Sequence, residues 1–206
     1  MALRRFAFFS ALLFFGVLAL GGCAGSPGTD AEPTGPASSD SAPASPSTDS
    51  QPTPANWEGP GRNVPTPSLA EAAKQNSAEG FREFTQYWFD TVTYSRETGD
   101  TAPLQEASQP TCKMCQAQIE KAQKIHASGG WSIGPRRTVK DFKTNMALDS
   151  DGNVLANFWF EESSSISFSE GGAAAVRHTG GPSDGVQVIR GKFTGDHWTT
   201  TETGRA

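Results

Sequence analysis

Histidine, cysteine and clustered positive charge are all scarce in this 206-residue chain, which holds three His and three Cys, and 17 Lys+Arg against 22 Asp+Glu. The formal net charge is -5, and no basic cluster exists beyond Arg136-Arg137. Nucleic acid and anionic lipid surfaces both need clustered Lys/Arg to neutralise phosphates, so neither is an expected partner. His126, His178 and His197 are scattered, and no second Cys pair or close His-x-x-x-His accompanies Cys112 and Cys115, which leaves any zinc site with half a ligand set. A Gly-x-Ser-x-Gly elbow, a Walker loop, a dinucleotide fingerprint and His-Glu-x-x-His are all missing. Asp149-Ser150-Asp151-Gly152 has the look of a calcium loop, but Ala147 occupies the first ligand position and Phe158 the position of the bidentate acid. It reads as hairpin-turn chemistry. No metal, cofactor or catalytic residue is expected.

Long apolar runs are confined to the N-terminus. Met1 to Arg5 carries Arg4 and Arg5, and Phe6 to Leu20 is almost wholly apolar before Leu20-Gly21-Gly22-Cys23. This matches a charged n-region followed by a signal-peptide h-region, and it falls short of the about 20 apolar residues that span a bilayer. The stretch ending at Cys23 resembles the lipobox of bacterial lipoproteins. That resemblance implies removal of residues 1–22 and a diacylglycerol on Cys23 as the mature N-terminus. Two acyl chains hold a protein on a membrane where one binds only marginally, so the expected partner is the membrane and the expected location the outer face of the bacterial cell membrane. Loss of Arg4 and Arg5 leaves 15 basic against 22 acidic residues, a balance of -7.

Ten of the fourteen prolines fall between Ala24 and Pro67, among Ser, Thr, Ala and Gly with little that is apolar. Such a tract cannot bury enough surface to offset its ordering entropy, so residues 23–67 read as a disordered linker, with Trp57 a solvated residue within it. Residues 68–206 have the length of one domain.

Within that domain Ser68-x-x-Glu71 has the form of a capping box. Phe81, Phe84, Trp88, Val92 and Ser95 then recur at helical steps up to a stop at Gly99. A short helical turn capped by Asp100 or Thr101 should run through Leu104, and a further helix from Pro110-Thr111 to Gly129-Gly130. From Trp131 onward the pattern is that of strands. A three-residue loop with Gly152 left-handed would pair Leu148, Met146 and Phe142 with Val154, Ala156 and Phe160, putting one apolar face on the core. Ile166 and Phe168 suggest another strand, Gly171 to Gly185 a Gly-rich excursion, and Val186 to Phe193 with Trp198 to Thr201 a closing hairpin around Gly195-Asp196.

Helices followed by an antiparallel meander make an α+β fold, N-terminal helices packed on a curved sheet. The order, ending in Gly195-Asp196-His197-Trp198, resembles the nuclear-transport-factor-like or SnoaL-like, cystatin-like α+β cone. The linker, the Trp-containing helix ending in Thr98-Gly99-Asp100, Cys112-x-x-Cys115 and Gly129-Gly130-Trp131 resemble an uncharacterised family of actinobacterial lipoproteins. With Cys23 assigned to lipid, Cys112 and Cys115 form an even pair in an oxidising compartment and read as a disulfide, with a redox-active pair as the rival reading. Tyr87, Trp88, Tyr94, Asp141, Phe158 and Phe160 are the candidate cavity-lining residues. The function expected is a non-catalytic binding or interaction domain for a small apolar ligand, an envelope component or a protein partner. The alternatives are a structural envelope protein, or a cavity enzyme of the isomerase/dehydratase type using Asp141, Tyr87 or Tyr94 as acid or base.

Overall fold

The computed structural model describes residues 51–206, so the signal segment, Cys23 and the first part of the linker lie outside the described residues. A 3-10 turn at Glu71–Lys74 leads into helix α1 (Ala78–Thr98), followed by α2 (Ala102–Glu106) and α3 (Lys113–Ala127). Eight strands follow: β1 (Trp131–Ile133), β2 (Arg137–Leu148), β3 (Val154–Glu162), β4 (Ser165–Phe168), β5 (Ala175–His178), β6 (Gly181–Pro182), β7 (Gln187–Thr194) and β8 (His197–Arg205). The larger sheet has the order β2-β3-β7-β8, with β6 also paired to β3, and the smaller one the order β1-β4-β5. Every pairing between these strands is antiparallel. This is an α+β architecture, and no helix among the described residues is long and apolar enough to cross a membrane.

Helix α1 forms where the apolar periodicity places it. Ser77 caps its first turn by accepting from the Gly80 N–H at 3.0 Å, and Gly99 ends it with φ 85° and an amide bonded to the Ser95 carbonyl. A side chain at Gly99 would also run into the ring of His126 on α3. Thr85, Thr91 and Ser95 are buried on α1, and their hydroxyls donate to carbonyls one turn back, so the core holds them without unpaired groups.

Phe81, Phe84, Trp88 and Val92 press against Phe158, Ala156, Val154, Ile189 and Trp198 of the larger sheet. The approach is close because Gly191 on β7 has no side chain: a Cβ there would sit 2.5 Å from the ring of Phe81. Phe81 stacks on Trp198, centroids 4.6 Å apart, and the Trp198 indole donates to the Gln75 carbonyl at 3.0 Å. The expected capping box at Ser68 is absent for a related reason. Ala70 precedes the 3-10 turn with no side-chain cap, and Gln75 is already extended so that its carbonyl can meet Trp198.

Around Gly152 the expected three-residue loop is present, with φ 76° at Gly152, an Asp149 amide bonded to the Asn153 carbonyl and Leu148 opposite Val154. Beyond that pair the expected register fails. Thr144, not Met146, faces Ala156, and Val139, not Phe142, faces Phe160. Met146 and Asp141 adopt φ of 57° and 48° at two irregularities that insert extra residues into β2. Thr144 steadies one of them, its hydroxyl donating to the Leu155 carbonyl at 2.8 Å and accepting from the Met146 amide at 3.1 Å. Phe142 and Met146 still reach the core, but Leu148 is left exposed. Bulges of this kind bend the strand that carries them and raise its local twist.

The other correction concerns the linker. Residues 51–67 do not hang free of the domain. Thr53 and Arg62 exchange backbone hydrogen bonds at 2.8 Å, and the Gly61 amide donates to the Glu97 carbonyl at 2.7 Å. Trp57 meets Phe168 edge-on, and the Asn56 carbonyl accepts from the Trp131 indole at 2.8 Å. This strap packs against Trp131 and Phe168 of the smaller sheet.

Candidate functional site

An apolar recess with a polar rim lies between the helices and the larger sheet. It has a volume of about 280 Å³ and takes its walls from α1, α3, β2, β3, β7 and β8. Trp88, Phe89, Met114 and Phe160 give it apolar surface, and Gln118 and Arg137 give it polarity. Trp88 is placed there by a hydrogen bond from its indole to the Ser108 hydroxyl at 2.9 Å, which leaves the ring's faces for packing. The Arg137 guanidinium lies over the rings of Phe89 and Phe160, 5.6 and 5.1 Å from their centroids. It is held there by Glu162, whose Oε2 accepts from Arg137 Nε at 2.7 Å and also pairs with Nη2. Gly204 on β8 borders the cleft with nothing within 4 Å of where a Cβ would stand.

Arg96 lies beyond the cleft's polar end. It follows Trp88 and Phe89 on α1 by eight and seven residues, so it shares their face, and helical side chains lean toward the helix N-terminus. Its Nη2 accordingly reaches Gln118 Oε1 on α3, while its Nε is buried with no partner among the described residues. Burial and then the neighbouring Arg137 lower the Arg96 pKa to about 10, against a partial opposing pull from Glu162. Lys121, one turn further along α3, is lowered first by Arg96, with burial and Arg137 adding to it.

Helix α3 starts at the disulfide. Cys112 and Cys115 are bridged, with Cα atoms 5.2 Å apart, and both are buried. Cys112 is also the N-cap, its sulfur accepting from the Cys115 amide at 3.2 Å. The bridge thus fixes the turn that presents Met114 and Gln118 to the cleft. Among the described residues no strand element precedes it, so it lacks there the βαβ setting that a thioredoxin-type pair requires.

Of the six residues expected to line a cavity, the structure brings Trp88 and Phe160 to the cleft. Phe158 is two residues from Phe160 on β3 and lies deep in the core. Tyr87 is half-buried beside Phe84, its hydroxyl pKa raised by burial and then by Glu106. Tyr94 donates to Asp100 Oδ2 at 3.2 Å near the surface. Asp141 is exposed in the β2 bulge, beside a shallow depression with Lys143 and Asn157. These three lie apart from the cleft because α1 turns Tyr87 and Tyr94 away from Trp88, and the bulge turns Asp141 outward. Sequence reasoning missed Arg96, Gln118 and Arg137. The signal for Arg96 was a charge lying on an otherwise apolar helical stripe. Among the described residues no group of three or more His, Cys, Asp or Glu is placed to hold a metal ion.

Residues 51–204 match the profile of a "Family of unknown function (DUF6318)". The chain belongs to this family. The match begins at the strap rather than at residue 68, so strap, helices and both sheets form the family's unit. No curated protein matches the sequence. Among solved structures the chain is similar to the intermembrane space region of the chloroplast protein ARC6, at 14% identity and a TM-score of 0.44, over 62% of this chain and 95% of that one.

Proposed function

We propose that this protein is a lipoprotein tethered through Cys23 at the outer face of the bacterial cell membrane, and that its domain binds a small, largely apolar ligand in the cleft between α1, α3 and the larger sheet. The observation that carries the binding reading is the cleft itself: a concave apolar surface with a few fixed polar groups at one end, which is how small-molecule sites are built. Its size suits a ligand of one or two rings, since about 150 Å³ of apolar cavity holds benzene and this cleft has about 280 Å³. In finer terms the sheet packed on α1 is read as the curved sheet of the nuclear-transport-factor-like or SnoaL-like cone, supported by the element order and the bulged β2. The tether reading is supported by Leu20-Gly21-Gly22-Cys23 behind its apolar run. Binding is preferred to isomerase or dehydratase chemistry because Tyr87, Tyr94 and Asp141, the groups such chemistry would use, stand outside the cleft.

Calorimetric titration of the full chain with indole tests the binding reading. Wild type should bind it, and Gly204→Leu, which fits the open space at β8, should abolish binding while leaving the melting temperature unchanged. No heat with wild type, or unchanged binding by Gly204→Leu, overturns the assignment. For the tether, Cys23→Ala should yield released protein or an unprocessed precursor. A processed Cys23→Ala chain that stays on the membrane overturns that part.

A further inference from the structure

We propose that the polar end of the cleft is a carboxylate site, and that the ligand is an organic acid whose apolar body lies on Trp88 and Phe160 and whose carboxylate is held by Arg96. This rests on the binding reading above and adds the chemical class of the ligand.

The argument starts from the arginine's hydrogen bonds. Nε and Nη2 of a guanidinium point the same way and form its side-on fork, which a carboxylate fills with two parallel bonds. In Arg96 that fork is half filled: Nη2 donates to the single amide oxygen of Gln118, and Nε, buried and eight per cent exposed as a residue, has no partner among the described residues. An amide offers one acceptor atom where the fork needs two, and an unpaired buried donor is costly. A carboxylate entering past Gln118 would supply both oxygens.

Charge points the same way. Arg96 and Lys121 make no ion pair among the described residues. The carboxylate whose charge reaches them is Glu162, and its Oε2 is already taken by Arg137. Two guanidiniums, Arg96 and Arg137, therefore share one acid at this end, with the exposed Lys121 adding no negative charge. Burial of Arg96 as a cation, with another guanidinium near it, is unfavourable until an anion arrives. Gln118 is the gate to that site. Its amide nitrogen meets the Met114 sulfur at 3.6 Å and its Oε1 accepts from Arg96, so swinging the side chain aside breaks one bond to Arg96, which the entering carboxylate replaces with two.

The experiment is calorimetric titration of the full chain with phenylacetate and with phenylacetamide, which share a ring and differ in charge. Phenylacetate should bind at least about tenfold more tightly, because it alone completes the fork. Gln118→Ala removes the competing amide and should tighten phenylacetate binding several-fold more than it changes phenylacetamide binding. Arg96→Lys keeps the charge and removes the fork, and should erase most of the preference for the acid. If Arg96→Lys does not fold, Gln118→Ala decides the matter alone. Equal affinity for acid and amide, or no gain in Gln118→Ala, overturns the carboxylate site and leaves the apolar cleft standing. Failure of both probes and of indole overturns the cleft as a binding site altogether.

Discussion

The indole of Trp57 stands edge-on to the ring of Phe168, centroids 5.2 Å apart at 83°. Phe168 in turn stacks on Trp131 at 4.7 Å, and Arg177 covers the Trp57 ring from 4.6 Å. An aromatic pair of this kind contributes about 0.5–1.5 kcal/mol beyond the area it buries. The strap is thereby part of the folded unit although its composition is that of a linker.

Limited proteolysis should therefore leave a resistant fragment that starts no later than about residue 51, where the family match also begins. Trp57→Ala should move the new terminus downstream, to between Asn63 and Ser77, and lower the melting temperature by a few degrees, since about 1 kcal/mol corresponds to roughly 2–8 °C in domains of this size range. A wild-type fragment starting near residue 68 would show that the strap does not hold in solution.

The disulfide prediction turns on the double duty of Cys112 as bridge and cap. Opening so short a loop costs about 2 kcal/mol in the chain-entropy account. Cys112→Ser with Cys115→Ser keeps an oxygen acceptor at the N-cap, whereas Cys112→Ala with Cys115→Ala does not, and loss of a cap costs about 0.5–2 kcal/mol. Thermal melts should rank wild type above the Ser pair and the Ser pair above the Ala pair. Equal melting of the two pairs would show that the Cys112 sulfur does no capping.

Asp149 gives a pH prediction. The Asn153 amide above all holds its carboxyl below the usual range against the opposing effect of desolvation, with the Asn153 side chain, the Asp151 amide and Arg190 in support. A carboxyl depressed by folding stabilises fully above its unfolded pKa of about 3.9, and that contribution is lost as pH falls through the folded value. Urea melts between about pH 5 and pH 2.5 should show wild type losing more stability on acidification than Asp149→Asn. Parallel acid limbs for the two proteins would refute the assignment.

The helices and the hairpin turn were legible because their signals are local: Phe81, Phe84, Trp88 and Val92 at helical spacing, Gly99 after them, Gly152 in its loop. The register of β2 was not, because Met146 and Asp141 adopt a left-handed backbone that nothing in their residue types announces. The strap was illegible for a different reason. Its ordering depends on partners far along the chain, Trp131, Phe168 and Glu97, while its own residues read as coil. At the cleft, Trp88 was found as part of the helical stripe. Gln118 and Arg137 were missed because what matters about them is which partner each meets across α1, α3 and the sheet.

A sheet ends in two rows of unused amides and carbonyls, and each outer strand of the larger sheet here is closed to recruitment in its own way. On β8 the segment after α2 lies alongside, with the Gln109 amide donating to the Thr200 carbonyl and the Thr200 amide to the Ala107 carbonyl. On β2 the two bulges break the straight edge that a second chain would need, and Lys140 and Lys143 flank the first of them. The irregularities that upset the expected register thus also deny a template for strand addition along the larger sheet, so two copies meeting at β2 find no straight edge to share.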